Sequence, residues 1–132
     1  MRKVFFIFLL AAALAALVSV SPVSAGCVQT DMTGTWYVYL GGEGWWQRCT
    51  VVIRSDGTIA SGTTCKDNAG VTENVLGGKL NVNSSCVATG NMKVGPYIGT
   101  IVHSAVARDK YTTNGVGYNN YGQEFIFSAT KK

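Results

Sequence analysis

Residues 33–65 decide the fold, and they read TGTWYVYLGGEGWWQRCTVVIRSDGTIASGTTC. Short runs of β-branched and aromatic residues are separated here by glycine-containing turns, which is typical of antiparallel strands. One turn lies at 41–44, and Ser55-Asp56-Gly57 fits a three-residue hairpin loop with glycine in the left-handed conformation. The segment therefore predicts three strands, over Gly34–Leu40, Trp45–Arg54 and Thr58–Cys65.

The rest of the chain continues this pattern, and no segment has a sustained helical period. Five more strands are predicted, over Lys79–Asn83, Cys86–Lys93, Tyr97–Ala107, Lys110–Thr113 with Val116–Tyr118, and Gln123–Thr130. Turns are expected at Asn83-Ser84-Ser85, Gly95-Pro96 and Asn114-Gly115, and Asn-Gly is the strongest hairpin signal. Residues 66–78 are expected to form the longest loop, with room for a short helix. About eight strands in a domain of this size form a small barrel or a sandwich. Because barrel closure removes exposed strand edges, we predict an all-β domain, a small antiparallel meander of about eight strands closing into a barrel.

The first 25 residues have the features of a secretory signal peptide. Met1-Arg2-Lys3 is positively charged, residues 4–20 are apolar, and a small-residue cleavage site ends at Ala25. The apolar run is only at the lower limit for a membrane-spanning helix. We therefore expect cleavage after Ala25, which places residues 26–132 outside the cytoplasm, periplasmic or secreted, as a single β-barrel domain.

A lipid-anchored form is the alternative at this terminus. The residues before Cys27 resemble a bacterial lipobox, although Ser24 stands where a branched aliphatic residue is usual. The chain would be attached to a membrane only if Cys27 carried such a lipid.

Eleven basic against seven acidic residues give a formal net charge of +4, and two of the basic residues lie in the leader. No Lys/Arg cluster exceeds two neighbours, so nucleic-acid binding is not predicted.

Four cysteines lie in the exported part, and an even count in a short exported chain predicts two disulfides and no free thiol. The hairpin register places Ile53 opposite Ile59, with Cys49 and Cys65 on the same face. A bulge at Gly62 would bring those two cysteines within reach of each other. We favour Cys49–Cys65 together with Cys27–Cys86, and the two other connectivities stay open. No C-x-x-C pair exists, so no metal site is predicted.

The sequence contains no motif of a catalytic site, and we predict that the protein is not an enzyme and has no cofactor. His103 is the only histidine, and alternation places it on one strand face with Tyr97, Ile101 and Ala105. A triad with Ser104 and Asp109 has no supporting nucleophile-elbow motif. We interpret His103 as a strand residue at a surface or a barrel end.

Aromatic residues are concentrated in the first hairpin. Alternation places Trp36 on one face with Val38 and Leu40, and it sends Trp45 and Trp46 to opposite faces. Such residues favour contact with a ligand or a protein, and the alternative is packing at a barrel end. The predicted contact residues are Trp36, Tyr37, Tyr39, Trp45 and Trp46.

Thr33-Gly34-Thr35-Trp36-Tyr37 and the later stretch from Asp56 to Thr63 resemble the first strand and second hairpin of avidin-type barrels. Gly-x-Trp in the first strand is also shared with lipocalins. The resemblance implies an up-and-down barrel. Val38 and Gly42 stand where avidins have polar biotin contacts, and no tryptophan follows Trp46, so biotin binding is not implied.

These observations predict an exported, non-enzymatic binding barrel that uses its aromatic first hairpin. Its partner would be a small apolar or saccharide ligand, or an extracytoplasmic protein. The alternative is an inhibitor or immunity-type protein acting on a secreted enzyme, by analogy with small periplasmic protease inhibitors. A filled barrel with a projecting segment before Thr33 would favour the inhibitor, and an open apolar pocket near Trp36 would favour a small ligand.

Overall fold

The computed structural model describes residues 26–132, so the predicted leader over 1–25 lies outside the described part. A short 3-10 helix, Gln29–Met32, precedes the strands. The strands are β1 (Gly34–Gly42), β2 (Trp45–Ile53), β3 (Thr64–Asp67), β4 (Thr72–Val82), β5 (Ala88–Val94), β6 (Tyr97–Val106), β7 (Thr112–Asn119) and β8 (Glu124–Lys131). Each strand pairs antiparallel with the next, and β8 pairs with β1. The predicted closed, eight-stranded, all-β barrel is confirmed. Within the described range, no helix is long and apolar enough to cross a membrane.

Alternation of side chains along each strand produces the interior of the barrel. Val51 and Ile53 of β2 are buried, whereas Val52 between them is only half-buried. Phe125 and Phe127 of β8 are buried on either side of the exposed Ile126. The strand pattern in the sequence therefore corresponds to an inner and an outer barrel face.

Both favoured disulfides are present, and none of the cysteines in the described chain is free. Cys49 lies directly opposite Cys65, with 4.0 Å between their Cα atoms. Cys27 is bonded to Cys86, and their Cα atoms are 4.9 Å apart. Because the sulfur of Cys27 is in this bond, it is not available for the thioether of a lipid anchor.

The segment after β2 turns as predicted, but the predicted strand over Thr58–Cys65 is wrong in its first six residues. Ile53 pairs with Ile59, and the Ile59 N–H then donates to the carbonyl of Gly78 in β4. Gly62, with φ +99°, interrupts the ladder, and regular pairing with β2 resumes in β3. Residues 58–60 thus bridge β2 and β4 at one end of the barrel.

The expected long loop over 66–78 is also wrong over most of its length. A tight turn at 68–71 leads directly into β4, and the Asp67 carboxylate holds it by accepting two backbone N–H groups at 2.9 and 2.8 Å. Gly77 and Gly78 each have φ +137°, a conformation that favours glycine. The two glycines mark a bend inside a strand, next to a bulge.

The predicted turn at Asn114-Gly115 is wrong, because both residues lie inside β7. Gly115 pairs with Ser104 on one side and Phe127 on the other. A Cβ atom added to Gly115 would lie 2.5 Å from Ser104 Cβ and 2.6 Å from the Phe127 ring. Glycine is needed here for close packing of an aromatic ring across the strand, not for chain reversal.

One end of the barrel is closed by the N-terminal segment 26–33, and we refer to it as the closed end. Met32 is buried, and its carbonyl oxygen accepts a hydrogen bond from Trp36 Nε1 at 2.8 Å. The Gln29 amide bonds to two backbone groups of β4, each at 3.1 Å. With the Cys27–Cys86 disulfide tying its start to the β4–β5 loop, the segment packs against the barrel and does not project.

The turn after β2 carries a testable pKa shift. Asp56 Oδ1 accepts hydrogen bonds from Thr58 Oγ1 at 2.7 Å and Thr58 N at 2.9 Å. The side-chain bond, followed by the backbone bond, lowers the pKa of Asp56 below its ordinary value of 3.8. Thr58→Val is expected to raise this pKa toward 3.8, as measured by NMR titration of the carboxyl carbon.

The sign of the accompanying stability change follows from the lowered folded-state pKa. The contribution of the ionised Asp56 is fully present above the unfolded-state pKa, and it is lost as the pH falls through the folded-state pKa. This carboxylate makes the wild type more stable than Thr58→Val. The difference in stability should therefore shrink as the pH falls below about 3.8. An unchanged Asp56 titration in the variant would contradict the assignment.

Candidate functional site: the barrel cavity

The barrel encloses a cavity of about 260 Å³. Met32 and Trp36 line it at the closed end. The middle of its wall is apolar and includes Val38, Leu40, Val51, Met92, Ile101, Phe125 and Phe127. An apolar pocket next to Trp36 is the feature predicted to distinguish a small-ligand site from an inhibitor.

The opposite end, which we refer to as the open end, is surrounded only by short turns. Four amide side chains contribute to the lining there: Gln47, Asn68, Asn119 and Gln123. Asn68 Oδ1 accepts the Trp46 N–H at 3.2 Å. Asn119 Nδ2 donates to Gln123 Oε1 at 2.7 Å, and Asn119 Oδ1 accepts the N–H groups of Tyr121 and Gln123 at 3.0 Å each. These hydrogen bonds fix the Asn68, Asn119 and Gln123 side chains at the open end.

Charge is nearly absent from the cavity. Within residues 26–132 no lysine, arginine or histidine lines the cavity, and Asp67 is the one aspartate or glutamate in its lining. The Asp67 carboxylate is already engaged with the backbone of the following turn. A charged group placed in the middle of this cavity would have no opposite charge beside it.

Two hydroxyl groups interrupt the apolar wall toward the closed end. Ser104 of β6 is 1% exposed and Thr113 of β7 is 4% exposed, and both line the cavity. Thr113 Oγ1 donates to Ser104 Oγ at 3.3 Å. The deep part of the cavity is thus apolar except for this pair.

The structure brings the three predicted tryptophans around the cavity. Trp36 is 1% exposed near the closed end, and Trp45 packs edge-on against Phe125, with ring centroids 6.5 Å apart. Trp46 is 49% exposed and lies at the rim. The prediction that Trp45 and Trp46 point to opposite faces agrees with their unequal burial.

Tyr37 and Tyr39, the other two predicted contact residues, lie on the outer surface, away from the cavity.

The four strands β6, β7, β8 and β1 contain only two charged residues, Glu124 and Lys131. The Lys131 ammonium lies 5.3 Å from the centre of the Trp36 ring at the closed end. This side of the barrel therefore presents an almost uncharged outer wall, with the strongly exposed Ile126 near its middle.

His103 lies on the outside of β6, and its predicted alignment with Ile101 is wrong. The ladder between β6 and β7 has an irregularity between Ile101 and His103. Ile101 lines the cavity, Val102 and His103 are both exposed, and Ser104 is again buried. One extra outward residue reverses the alternation beyond it. No group of three His, Cys, Asp or Glu that could hold a metal ion is found in the described range.

Sequence reasoning missed the contributions of β5 to β8 to the site. Alternation along β8 places Phe125 and Phe127 on one buried face, and nothing in the sequence marks Ser104 and Thr113 as lining residues. Simple alternation predicts Phe127 correctly, because β8 has no bulge. It fails for Ser104, because the bulge that turns this residue inward has no local signature in the sequence.

No family model and no curated protein matches the chain. Among solved structures, the chain is similar to a redesigned β-barrel, with 13% identity and a TM-score of 0.62, over 81% of this chain and 98% of that one. It is also similar to the redesigned barrel mFAP1 bound to DFHBI, with 16% identity and a TM-score of 0.58, over 80% and 98%. A third, a de novo designed fluorescence-activating β-barrel, has 17% identity and a TM-score of 0.57, over 76% and 93%. At these identities the likeness shows a shared barrel fold.

Proposed function

We propose that this protein is an exported, non-enzymatic binding barrel that holds a small, neutral, apolar ligand inside its cavity. The observation that carries the proposal is the 260 Å³ cavity, apolar in its middle, closed beside Trp36 and rimmed by amides at the other end. A concave apolar site with a few convergent polar groups is the usual form of a small-molecule site. The ligand would enter through the open end.

The cavity volume limits the size of the ligand. An apolar cavity of about 150 Å³ accommodates benzene. A volume of about 260 Å³ therefore suits a compound of about two fused rings. Larger compounds would protrude between the amide side chains of the rim.

The lining also limits the charge and polarity of the ligand. A carboxylate or an ammonium in the middle of the cavity would be desolvated without an opposite charge, which costs several kcal/mol. A saccharide would leave most of its hydroxyl groups without partners along the apolar wall. The favoured ligand is thus neutral and mostly hydrocarbon.

Two further observations support parts of this proposal. The designed barrel mFAP1, which has a similar fold, is bound to DFHBI, so a barrel of this kind can bind a compound. The two disulfides are of the kind that persists in an oxidising compartment, in agreement with export. An inhibitor role has less support, because the segment before Thr33 packs on the closed end.

The test is calorimetric titration of the disulfide-bonded protein with 2-methylnaphthalene, a neutral two-ring compound. We expect saturable binding of one molecule per chain. Ala129→Phe, which places a ring in the cavity, should weaken binding by about tenfold or more, because each Å² of apolar ligand surface that is no longer buried forfeits about 25 cal/mol. Ala129 lines the cavity.

The matched control is Ala105→Phe, the same substitution at an exposed residue of β6. It should leave the affinity within about twofold of the wild type, since exposed positions away from a site contribute little. Thermal unfolding of both variants checks that they are folded. Equal weakening by both substitutions, or no saturable binding to the wild type, would contradict the proposed function.

A further inference from the structure

Ser104 and Thr113 are unusual residues for the inside of an apolar barrel. Both side chains are almost completely buried, and both contribute to the cavity surface toward the closed end. Ala129 pairs with Thr113 across β7 and β8, and other residues that line the cavity, such as Ile53 and Leu80, are apolar as well. A buried hydroxyl normally has hydrogen-bond partners, and an exception calls for an explanation.

The hydrogen bonds of this pair are incomplete. Each hydroxyl has one proton to donate and two lone pairs to accept with. Their mutual bond uses one proton, and at 3.3 Å it is longer than the 2.7–2.8 Å that is usual between two hydroxyl oxygens. The other proton of the pair has no acceptor within residues 26–132. One donor and several lone pairs are therefore available at the cavity surface.

The neighbouring backbone keeps this position open. Ser104 pairs with Gly115, where any side chain would collide with Ser104 Cβ and with the Phe127 ring. The glycine allows the ring of Phe127 to lie beside the hydroxyl pair, on the wall of the cavity. A flat ring system packed against Phe127 would have one of its edges near Ser104.

We infer that Ser104 and Thr113 select the ligand of the proposed cavity: a two-ring apolar compound with one neutral hydroxyl or carbonyl oxygen, bound with that oxygen toward the closed end. This inference rests on the proposed function, because it concerns the same cavity. The Ser104 hydroxyl donates to the ligand oxygen. A ligand hydroxyl can in turn donate to an unused lone pair on the oxygen of Ser104 or Thr113. The hydrocarbon body lies along the apolar wall, and the amide rim stays in contact with water.

The experiment compares 2-naphthol with 2-methylnaphthalene, which has a methyl group in place of the hydroxyl and nearly the same shape. Dissociation constants for both compounds are measured for the wild type, for Ser104→Ala, and for Ser104→Ala combined with Thr113→Val. The measured quantity is the ratio of the two affinities within each protein, because this ratio cancels general changes in the cavity. We expect the double variant to shift the ratio toward 2-methylnaphthalene by roughly five- to tenfold, the range of a lost neutral hydrogen bond.

Matched controls lie on the outer face of β8, where Ser128 and Thr130 are exposed. Ser128→Ala with Thr130→Val removes the same two hydroxyl types and should leave the ratio unchanged. Should the double cavity variant fail to fold, Ser104→Ala alone, which leaves Thr113 in place, is expected to shift the ratio in the same direction.

The outcomes separate this inference from the proposed function. If both compounds bind the wild type and the cavity variants weaken both alike, the hydroxyl pair is only structural; the inference is then wrong and the proposed function stands. If neither compound binds the wild type, both are wrong. A shifted ratio in the cavity variants alone supports both.

Discussion

Trp36→Ala is expected to lower the free energy of unfolding by about 4 kcal/mol, within the range of large-to-small changes of buried aromatic residues. Trp36 is the largest of the fully buried side chains, and its indole N–H bonds to the Met32 carbonyl. Alanine would leave a void at the closed end and an unpaired carbonyl oxygen. Since small domains have only about 5–15 kcal/mol of total stability, the variant should be close to unfolding. Guanidinium unfolding measures this loss of stability: the midpoint concentration falls while the m-value stays constant.

Trp46 provides the matched control for this prediction. It is 49% exposed, so Trp46→Ala should cost less than about 1 kcal/mol. Trp36→Phe keeps a ring in the closed end but loses the N–H bond to Met32, and it should lie between the two. Similar midpoints for the two alanine variants would overturn the assignment of Trp36 as the central core residue.

Reduction of both disulfides is expected to remove about 7 kcal/mol, which is comparable to the whole stability of a small domain. The Cys49–Cys65 bond spans 16 residues and the Cys27–Cys86 bond spans 59. In the chain-entropy model these spans correspond to about 3 and about 4 kcal/mol. Domains of this size bury only a modest core, so the loss should unfold most of the barrel at 37 °C.

Circular dichroism of the reduced and alkylated protein measures this loss, with the oxidised protein as the reference. Paired substitutions then assign it: Cys27→Ala with Cys86→Ala should release the N-terminal segment and speed hydrogen exchange of the Trp36 indole N–H. Cys49→Ala with Cys65→Ala should instead speed exchange in β3, which has only three paired positions with β2. An unchanged unfolding midpoint after reduction would disprove the prediction.

The sequence predicts the parts of this fold that depend on local pattern. The first hairpin and β8 alternate without interruption, and the Ser55-Asp56-Gly57 turn has a specific local chemistry, so their buried faces follow directly. The hairpin register, together with a glycine that can interrupt it, favours Cys49–Cys65, and Cys27–Cys86 is then the pairing of the two remaining cysteines. Apart from the Cys27–Cys86 bond, these features need only neighbouring residues or one turn.

The features that sequence reasoning missed depend on distant packing. Gly115 looks like a turn residue until Phe127 is placed across it, and the bend at Gly77 and Gly78 is visible only beside β5. His103 faces outward because of an irregularity in the ladder between β6 and β7, which has no local signature in the sequence. The cavity is a property of the closed sheet as a whole, so its residues on β5 to β7 could not be assigned before the topology was known.

The closed end has a kinetic consequence for any occupant of the cavity. Met32 and the disulfide-tied segment block passage there, so arrival and departure use the same opening between the amides of the rim. A substitution that narrows this opening without touching the bound compound raises the free-energy barrier for entry and the barrier for exit by the same amount. Association and dissociation rate constants should then fall by the same factor, and the equilibrium affinity should stay constant. If the cavity binds a ligand as proposed, substitutions at the rim change the residence time without changing the affinity.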